Sequence, residues 1–351
     1  MPRLFTITGE WNEQLWMNTG GTRAKKYLQS PDGNYYYFKR SQLKQGKDYT
    51  YEFWNEIIAY ELGTMLGFTM LRYDIAVDGD LMGCICESMI NSEEEELVEG
   101  IKYLQAYSPD YDPSKKEHQK WYTFDLIERA LESAKIGHFI NDVIKIIIFD
   151  SLIGNGDRHQ ENWAVISKQQ LITDIVDDLA TKNEYKLHFL FRWLFRWLKQ
   201  QVNISRLEGK KLPGALYVAL KRFSPIYDSG SSLGRELLDD RVHLYLNNPA
   251  ELNRYIEKGS SEIHWHSKKC SHFELIGNLL QSIHGVVVRE IIVSVVEKYN
   301  SEAFSQLVSE IDNDVPKGLE KYKIPDNRKQ LIIKIITLRL QKLSGLIHER
   351  I

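Results

Sequence analysis

A polar loop at residues 154–163 follows a strongly apolar stretch, and it constrains this chain more than any other feature of the sequence. The apolar run Val143–Phe149 leads into it, and Gly154-Asn155-Gly156 breaks the run because closely spaced glycines favour a turn. Asp157 lies on this loop, and Asn162 follows five residues later. A carboxylate and an amide at this spacing are either the hydrogen-bonding side chains of an ordinary turn or the polar groups of a binding site.

The spacing of Asp157 and Asn162 matches the catalytic loop of protein kinases, in which the Asp takes the proton of the acceptor hydroxyl and the Asn holds magnesium. Residues 155–162, Asn-Gly-Asp-Arg-His-Gln-Glu-Asn, resemble the catalytic loop of HipA-like serine/threonine kinases. The resemblance extends more weakly from about Gly20 to about Glu236, with a long interruption. It implies that Asp157 is the catalytic base and that Asn162 is a magnesium ligand.

The composition is that of an ordinary globular protein. The 351 residues are 43% hydrophobic and 26% charged, which allows two lobes, and the net charge of −3 does not indicate a nucleic-acid binder. Three cysteines are too few for a disulfide framework. The N-terminus has no signal-peptide core and no apolar run is long enough to span a bilayer, so we expect a cytoplasmic protein without a transmembrane segment.

A lysine on a predicted strand and a glutamate on a predicted helix precede the 154–163 loop. Tyr35–Lys39 is rich in aromatic residues and predicts a strand. Tyr51–Gly67 predicts a helix because its apolar residues recur at three- and four-residue spacing. Kinases hold an ATP-binding strand lysine through an ion pair with a helix glutamate, so the resemblance implies that Lys39 and Glu56 contact the cofactor. The helix also carries two alternative partners, Glu52 and Glu61.

The second magnesium ligand that the resemblance implies is Asp228. It begins Asp228-Ser229-Gly230, which has the Asp-x-Gly form of a kinase metal-binding segment, and residues 226–234 resemble that segment of the family. This assignment requires an insertion of about residues 167–222. A surface turn is the other interpretation of the same tripeptide. Three aspartates lie closer to the catalytic loop in sequence and are alternatives: Asp174, Asp177 and Asp178.

Paired glycines in the N-terminal part point to a phosphate-covering loop. Gly20, Gly21 and Thr22 lie on a polar stretch, where glycines would let the backbone approach the nucleotide phosphates, although such pairs also form hairpin turns. HipA-like kinases autophosphorylate in this loop. The resemblance therefore implies Thr19 or Thr22 as the acceptor.

The fold class that we predict is α+β, with a two-lobed fold like that of protein kinases and phosphatidylinositol kinases. Residues 1–91 would form a small β-rich N-lobe and residues 92–351 a mostly helical C-lobe. Glu87 and Met89 lie where the chain would cross between lobes and meet the adenine, and His159 would be structural or face a phosphate. The acidic run Glu93–Glu96 predicts the start of a helix, and residues 97–122 predict a loop-rich connection.

The insertion contains the unit Phe-Arg-Trp-Leu twice, at residues 191–198. On a helix Trp193 and Trp197 would stack on one face, in a segment that is otherwise basic. The tryptophans either pack inside a helical subdomain or help a basic face to dock on a membrane surface, a partner protein or nucleic acid.

These residues together predict an ATP- and magnesium-dependent serine/threonine kinase that phosphorylates a protein substrate, and the chain itself is one candidate substrate. Family members often act as toxins paired with a DNA-binding antitoxin, so the resemblance implies an antitoxin-like partner protein and contact with nucleic acid only through it. Two alternatives are a kinase for a small molecule or lipid, and a catalytically inactive kinase-like module that binds through the insertion.

Overall fold

The structure is a computed structural model that describes residues 1–15, 25–41, 43–44, 47–91, 94–171, 197, 200 and 217–348. The chain divides into two compact units. The first comprises residues 1–89, 99–163 and 225–351, and the second comprises residues 90–98 and 164–224. The residues predicted to cover the phosphates, Thr19, Gly20, Gly21 and Thr22, lie outside the described residues, as do Trp193, Asp174, Asp177 and Asp178.

The first unit begins with a β-rich part. Its strands are β1 (Leu4–Ile7), β2 (Asn12–Glu13), β3 (Lys25–Gln29), β4 (Tyr35–Arg40), β5 (Leu43–Lys44), β6 (Lys47–Asp48), β7 (Asp74–Asp78) and β8 (Leu81–Glu87). Among the described residues, six of them form one sheet in the order β1-β7-β8-β4-β3-β2, whereas β5 and β6 pair with each other. β1 runs parallel to β7, and the other neighbouring strands of this sheet are antiparallel.

The two faces of this sheet have different roles because successive side chains of a strand point to opposite faces. On one face Tyr36 and Phe38 of β4 join a buried cluster with Leu28, Ala76 and Ile85. Lys39 lies on the other face, where its register partner on β8 is Cys84. Helix α1 (Glu52–Met65) packs against β8, and its residues are buried on nearly every side. Apolar packing of this helix therefore fixes where Glu56 lies.

The rest of the first unit is helical. Its α-helices are α2 (Gly100–Tyr107), α3 (Phe124–Ser133), α4 (Ile140–Ile153), α5 (Asp239–Asn247), α6 (Pro249–Lys258), α7 (His272–Leu280), α8 (Gly285–Lys298), α9 (Ser301–Glu310) and α10 (Asp326–His348). α4 is buried along most of its length and ends at Gly154, whose φ of 71° is a left-handed conformation that suits glycine. This cap turns the chain out of the core and begins the 154–163 loop.

The second unit contains a three-stranded sheet in the order β11-β10-β9, formed by β9 (Glu95–Glu99), β10 (Ala164–Leu171) and β11 (Tyr217–Phe223). The prediction that the acidic run Glu93–Glu96 starts a helix is therefore wrong, because the run enters the strand β9. Its acids pair with cations of the other two strands of this sheet: Lys168 of β10 lies 2.6 Å from Glu94, and Arg222 of β11 lies 3.1 Å from Glu95. Cross-strand ion pairs thus take the place of the expected helix dipole interaction.

Candidate active site

The ammonium group of Lys39 lies among three oxygen-bearing side chains. Its Nζ is 3.1 Å from Asp228 Oδ1, 3.4 Å from Glu56 Oε1 and 3.1 Å from the Tyr73 hydroxyl. Lys39 is 7% exposed and Glu56 is 1% exposed, so this charge cluster is largely removed from water. Burial by itself lowers the pKa of Lys39, but the carboxylates of Asp228 and Glu56 hold that pKa well above its usual range. Lys39 therefore stays cationic at neutral pH and is suited to an anionic ligand.

The carboxylate of Glu56 holds both Lys39 and the backbone that follows Asp228. One oxygen faces Lys39, and the other accepts a hydrogen bond from the Ser229 backbone N–H at 2.7 Å. Asn55, its neighbour on α1, donates through Nδ2 to the Ser232 carbonyl at 2.7 Å. α1 thus sets the position of the 226–234 segment relative to the lysine on β4.

Asp228 has a φ of 55°, the left-handed conformation that is uncommon for a residue other than glycine. Its backbone N–H donates to the Tyr73 hydroxyl at 3.3 Å. Two residues earlier, Ile226 exchanges backbone hydrogen bonds with Thr69 and Leu71, each at 2.9 Å. Anchors on both sides hold this strained residue, and strain held in this way is common at functional sites.

The 154–163 loop is organised by its own amides. Asn162 donates through Nδ2 to the Asp157 carbonyl at 2.8 Å. The amide oxygen Oδ1 of Asn162 is then the side-chain atom that can bind a cation. Asn155 accepts a hydrogen bond from the Asp157 N–H at 3.2 Å and donates to Asp150 Oδ1 at 3.0 Å. Asp157 itself is exposed, and its Oδ2 accepts a hydrogen bond from the Ser231 hydroxyl at 3.0 Å. The loop and the 226–234 segment therefore meet at the predicted base.

Arg158, which the sequence reasoning did not single out, joins the same two segments. Its guanidinium group makes a two-point contact with Asp150, from Nε and Nη2, at 2.9 Å each. Its Nη1 donates to the Asn162 carbonyl at 3.0 Å and also to the Tyr227 carbonyl. Although burial by itself lowers the pKa of Arg158, Asp150 keeps that pKa above its usual range. One signal was present in the sequence: Asp150 interrupts an apolar helix, and a buried carboxylate needs a cation.

A second buried arginine supports the loop from the helical side. Arg339 of α10 donates through Nη1 to the Ser151 carbonyl in the last turn of α4, at 2.8 Å. A Cβ added at Gly154 would lie 2.9 Å from its guanidinium carbon, and one at Gly259 would lie 2.6 Å from its Nη2. Burial lowers the pKa of Arg339 to about 10. The glycine at the end of α4 is thus required by close packing as well as by its backbone conformation.

The other residues predicted to contact the cofactor have the following positions. Glu87 is the exposed last residue of β8, and Met89 is partly buried two residues later. The Ser88 N–H between them donates to the Tyr35 carbonyl at 2.7 Å. His159 is partly exposed, and its Nδ1 accepts a hydrogen bond from the Glu161 N–H at 3.3 Å. Contacts of Glu87, Met89 and His159 with a nucleotide stay predictions.

The donor set fits magnesium by its chemistry. Magnesium prefers oxygen ligands and keeps several waters or phosphate oxygens, so one or two protein oxygens suffice. The carboxylate of Asp228 and the amide oxygen of Asn162 are ligands of this kind, and Arg158 holds the backbone at or beside both of them. Within the described part of the chain, His, Cys, Asp and Glu form no group of three or more that could hold a metal unaided. A metal at this site would therefore take its remaining ligands from a nucleotide and water.

Comparison with solved structures identifies the fold. The structure is similar to that of the Helicobacter pylori proinflammatory kinase CtkA, with a TM-score of 0.66 over 99% of this chain and 98% of CtkA, at 15% sequence identity. A weaker similarity, with a TM-score of 0.48 and 10% identity, relates 97% of this chain to 68% of HipA from the Shewanella oneidensis MR-1 toxin–antitoxin system, solved with HipB and operator DNA. No family profile and no curated protein matches the sequence.

The likeness to CtkA bears on the fold alone. The α+β, kinase-like fold that the sequence predicted is confirmed, with a β-rich N-terminal part and a mostly helical C-terminal part. Among the described residues, no helix is both long enough and apolar enough to cross a membrane.

Proposed function

We propose that this protein is an ATP- and magnesium-dependent kinase that transfers the γ-phosphoryl group of ATP to a serine or threonine hydroxyl of a protein. The observation that carries the proposal is the Lys39 ammonium group, which lies within 3.4 Å of both Glu56 and Asp228. Phosphoryl transfer needs positioned charge more than covalent help from the enzyme, and this cluster supplies such charge. Its resemblance to a kinase site extends across three separate segments of the sequence.

Each residue has one role in this mechanism. Lys39 binds the inner phosphates, and the Glu56 carboxylate keeps its ammonium group pointed toward them. Asn162 and Asp228 would hold a magnesium ion, which would neutralise phosphate charge when bound. Arg158 fixes the backbone at Asn162 and next to Asp228, so that the two ligands keep their separation during the reaction.

Asp157 is the group that receives a proton. Its side chain is exposed, so a hydroxyl on a folded protein or a peptide can reach it. The acceptor hydroxyl would donate its hydrogen bond to Asp157, which orients the oxygen toward the γ-phosphorus. The bond from phosphorus to the acceptor oxygen forms as the bond to the departing ADP oxygen breaks, and the proton passes to Asp157.

The test is transfer of label from γ-labelled ATP with magnesium to the protein itself and to added protein substrates. Replacing Asp157 by Asn keeps the shape but removes the base, and we expect about a hundredfold to ten-thousandfold loss of transfer. ATP with magnesium should still raise the melting temperature of this variant. The matched control is Asp142→Asn, because Asp142 lies on α4 in a partly exposed ion pair with Lys145. Transfer that survives Asp157→Asn would contradict the role given to Asp157.

The class of acceptor is determined by where the label appears. Label in protein supports the proposal, whereas label only in added phosphoinositide vesicles or small alcohols would favour the lipid or small-molecule alternative. The antitoxin-like partner protein stays a prediction from the sequence resemblance. Co-purification of the full chain with a protein encoded beside it is the direct test of that prediction.

A further inference from the structure

A serine hydroxyl of this chain makes the hydrogen bond that the acceptor of a kinase must make. Ser231 Oγ donates to Asp157 Oδ2 at 3.0 Å. A general base must lie within hydrogen-bond reach of the proton that it removes, and this pair meets that condition. Ser231 is partly exposed rather than sealed in the core, so its hydroxyl lies at the boundary between the site and solvent.

The position of Ser231 is set by the backbone around it. The Ser229 N–H donates to Glu56 at 2.7 Å, and the Ser232 carbonyl accepts from Asn55 at 2.7 Å. The Ser232 hydroxyl donates to the Ser229 carbonyl at 2.6 Å, which closes a turn around Ser231. α1 therefore presents the Ser231 hydroxyl to Asp157 in a defined orientation.

Two cations contact the segment that carries Ser231. Asp228, three residues before Ser231, contacts the Lys39 ammonium group at 3.1 Å. The Arg158 guanidinium group donates to the Ser229 hydroxyl at 3.3 Å. Two cations, each paired with a carboxylate, and the predicted base thus contact the segment that carries the hydroxyl. A nucleotide held by Lys39 would lie near this segment, because Lys39 contacts Asp228 within it.

We propose that Ser231 is an intramolecular phosphate acceptor, a modification site on the segment that also carries the metal ligand Asp228. The inference rests on the proposed kinase function. The Ser231 oxygen bonds to the γ-phosphorus of ATP, the bond from that phosphorus to the β,γ-bridging oxygen breaks, and ADP leaves. The hydroxyl proton passes to Asp157. One ATP and one serine hydroxyl give one phosphoserine, one ADP and one proton.

Phosphoserine at residue 231 would inhibit further phosphoryl transfer by the same molecule. A phosphoserine carries a charge of about −1.5 to −2 at neutral pH. At residue 231 this charge lies beside the Asp157 carboxylate, where it repels an incoming nucleotide and blocks other acceptors from the base. Modified protein therefore transfers phosphate to added substrates more slowly than unmodified protein.

The experiment is peptide mass spectrometry of the full chain, first treated with phosphatase and then incubated with ATP and magnesium. We expect phosphate on Ser231, at a rate constant that does not change over a tenfold range of protein concentration. Asp157→Asn should lower this rate about a hundredfold or more. Ser114 is the internal control, since its hydroxyl donates to Asp112 at 2.6 Å on an exposed loop, and we expect no phosphate there.

Three results would overturn the inference. Phosphate on other residues or on an added protein, with none on Ser231, removes the proposed acceptor while the kinase function stands. A Ser231 rate that rises in proportion to protein concentration shows transfer between molecules. Absence of both nucleotide binding and transfer to any acceptor removes the kinase function, and this inference with it. The Ser231→Ala variant gives a further test, measured as the rate of transfer to added substrates. If phosphorylation of Ser231 inhibits the enzyme, the variant should keep transferring phosphate. If the Ser231 hydroxyl only orients Asp157, the variant should transfer phosphate more slowly.

Discussion

Two buried arginines support the 154–163 loop, Arg158 from within the loop and Arg339 at the end of α4, and they differ in what balances their charge. Arg158 is 1% exposed and makes its two-point contact with Asp150, a carboxylate. Arg339 is 2% exposed, and its hydrogen bonds go to the carbonyl groups of Ser151 and Ile256. The environment accordingly moves their pKa values in opposite directions, upward for Arg158 and downward, to about 10, for Arg339.

The difference separates two ways of using a buried cation. The pair of Arg158 with Asp150 is an ionic unit, in which removal of one member leaves the other charged and buried. Arg339 serves as a set of donors for carbonyl groups, so its removal leaves neutral groups without partners, and the loss is smaller. The ionic unit holds the predicted metal ligands, whereas the donor set holds the end of α4 from which the loop begins.

The largest expected effect comes from Arg158→Met. It leaves the Asp150 carboxylate buried and two carbonyl groups without donors, and we expect a loss of about 3–5 kcal/mol in the free energy of unfolding. Urea denaturation measures it. The double variant with Asp150→Asn should lose less than the sum of the single losses, because the two residues form one unit. Arg129→Met, in an exposed pair with Asp125 at 3.2 Å, is the control and should leave stability unchanged.

A smaller loss is expected for Arg339→Met. The change removes a cation that burial disfavours and leaves the Ser151 carbonyl without its donor, so we expect about 1–3 kcal/mol from denaturation curves. Nucleotide binding at the Lys39 site should remain. If this variant lost as much stability as Arg158→Met, the proposed difference between ionic unit and donor set would be wrong.

Removal of the Tyr73 hydroxyl tests the contacts of Lys39 and Asp228 in the candidate active site. Tyr73 accepts hydrogen bonds from Lys39 and from the Asp228 N–H, and it is buried. Tyr73→Phe keeps the ring but removes a hydrogen bond to a charged group, and we expect the Kd for ATP with magnesium to rise about tenfold or more. Isothermal titration measures it. Tyr255→Phe, which loses a hydroxyl bonded to Glu236, is the control and should bind ATP as the parent does.

The smallest effect concerns pH on the Arg339 side. Burial and the nearby charge of Arg339 hold the pKa of His272 well below its usual range. A depressed folded-state pKa gives stability that is present above the unfolded-state value, about 6.5, and is lost as pH falls below it. We expect about 1 kcal/mol of loss between pH 7 and pH 5.5 from this residue. His272→Gln should reduce that acid-side slope, whereas the exposed His243→Gln should leave it unchanged.

Local patterns were sufficient to predict the elements that carry the site. The apolar run Val143–Phe149 lies within the helix Ile140–Ile153, and the helix ends at Gly154, where the sequence predicted a turn. The strand of Lys39 likewise follows from its aromatic residues, and the helix of Glu56 follows from the three- and four-residue spacing of its apolar residues. The α+β class follows from the same signals taken together.

Contacts between distant segments were beyond the reach of such patterns. Arg158 and the Tyr227 carbonyl are 69 positions apart, and Lys39 and Tyr73 are 34 apart, so neither pairing leaves a periodic trace. α2 was missed within a stretch predicted to be loop-rich. The first residue of α2 is Gly100, and glycine has a low helix propensity. A Cβ at this position would lie 2.2 Å from the Trp163 ring, so tertiary packing requires a glycine there.

The left-handed backbone conformation of Asp228 affects the choice of substitution for an inactive variant of this protein. Asparagine tolerates that conformation nearly as well as aspartate does, whereas alanine adds about 1–2 kcal/mol of backbone strain. An alanine version would combine a missing carboxylate with a distorted turn, and its defects would have two origins. Asparagine at residue 228 leaves the chain path intact, so it reports on the lost carboxylate, including its contact with Lys39, without added backbone strain.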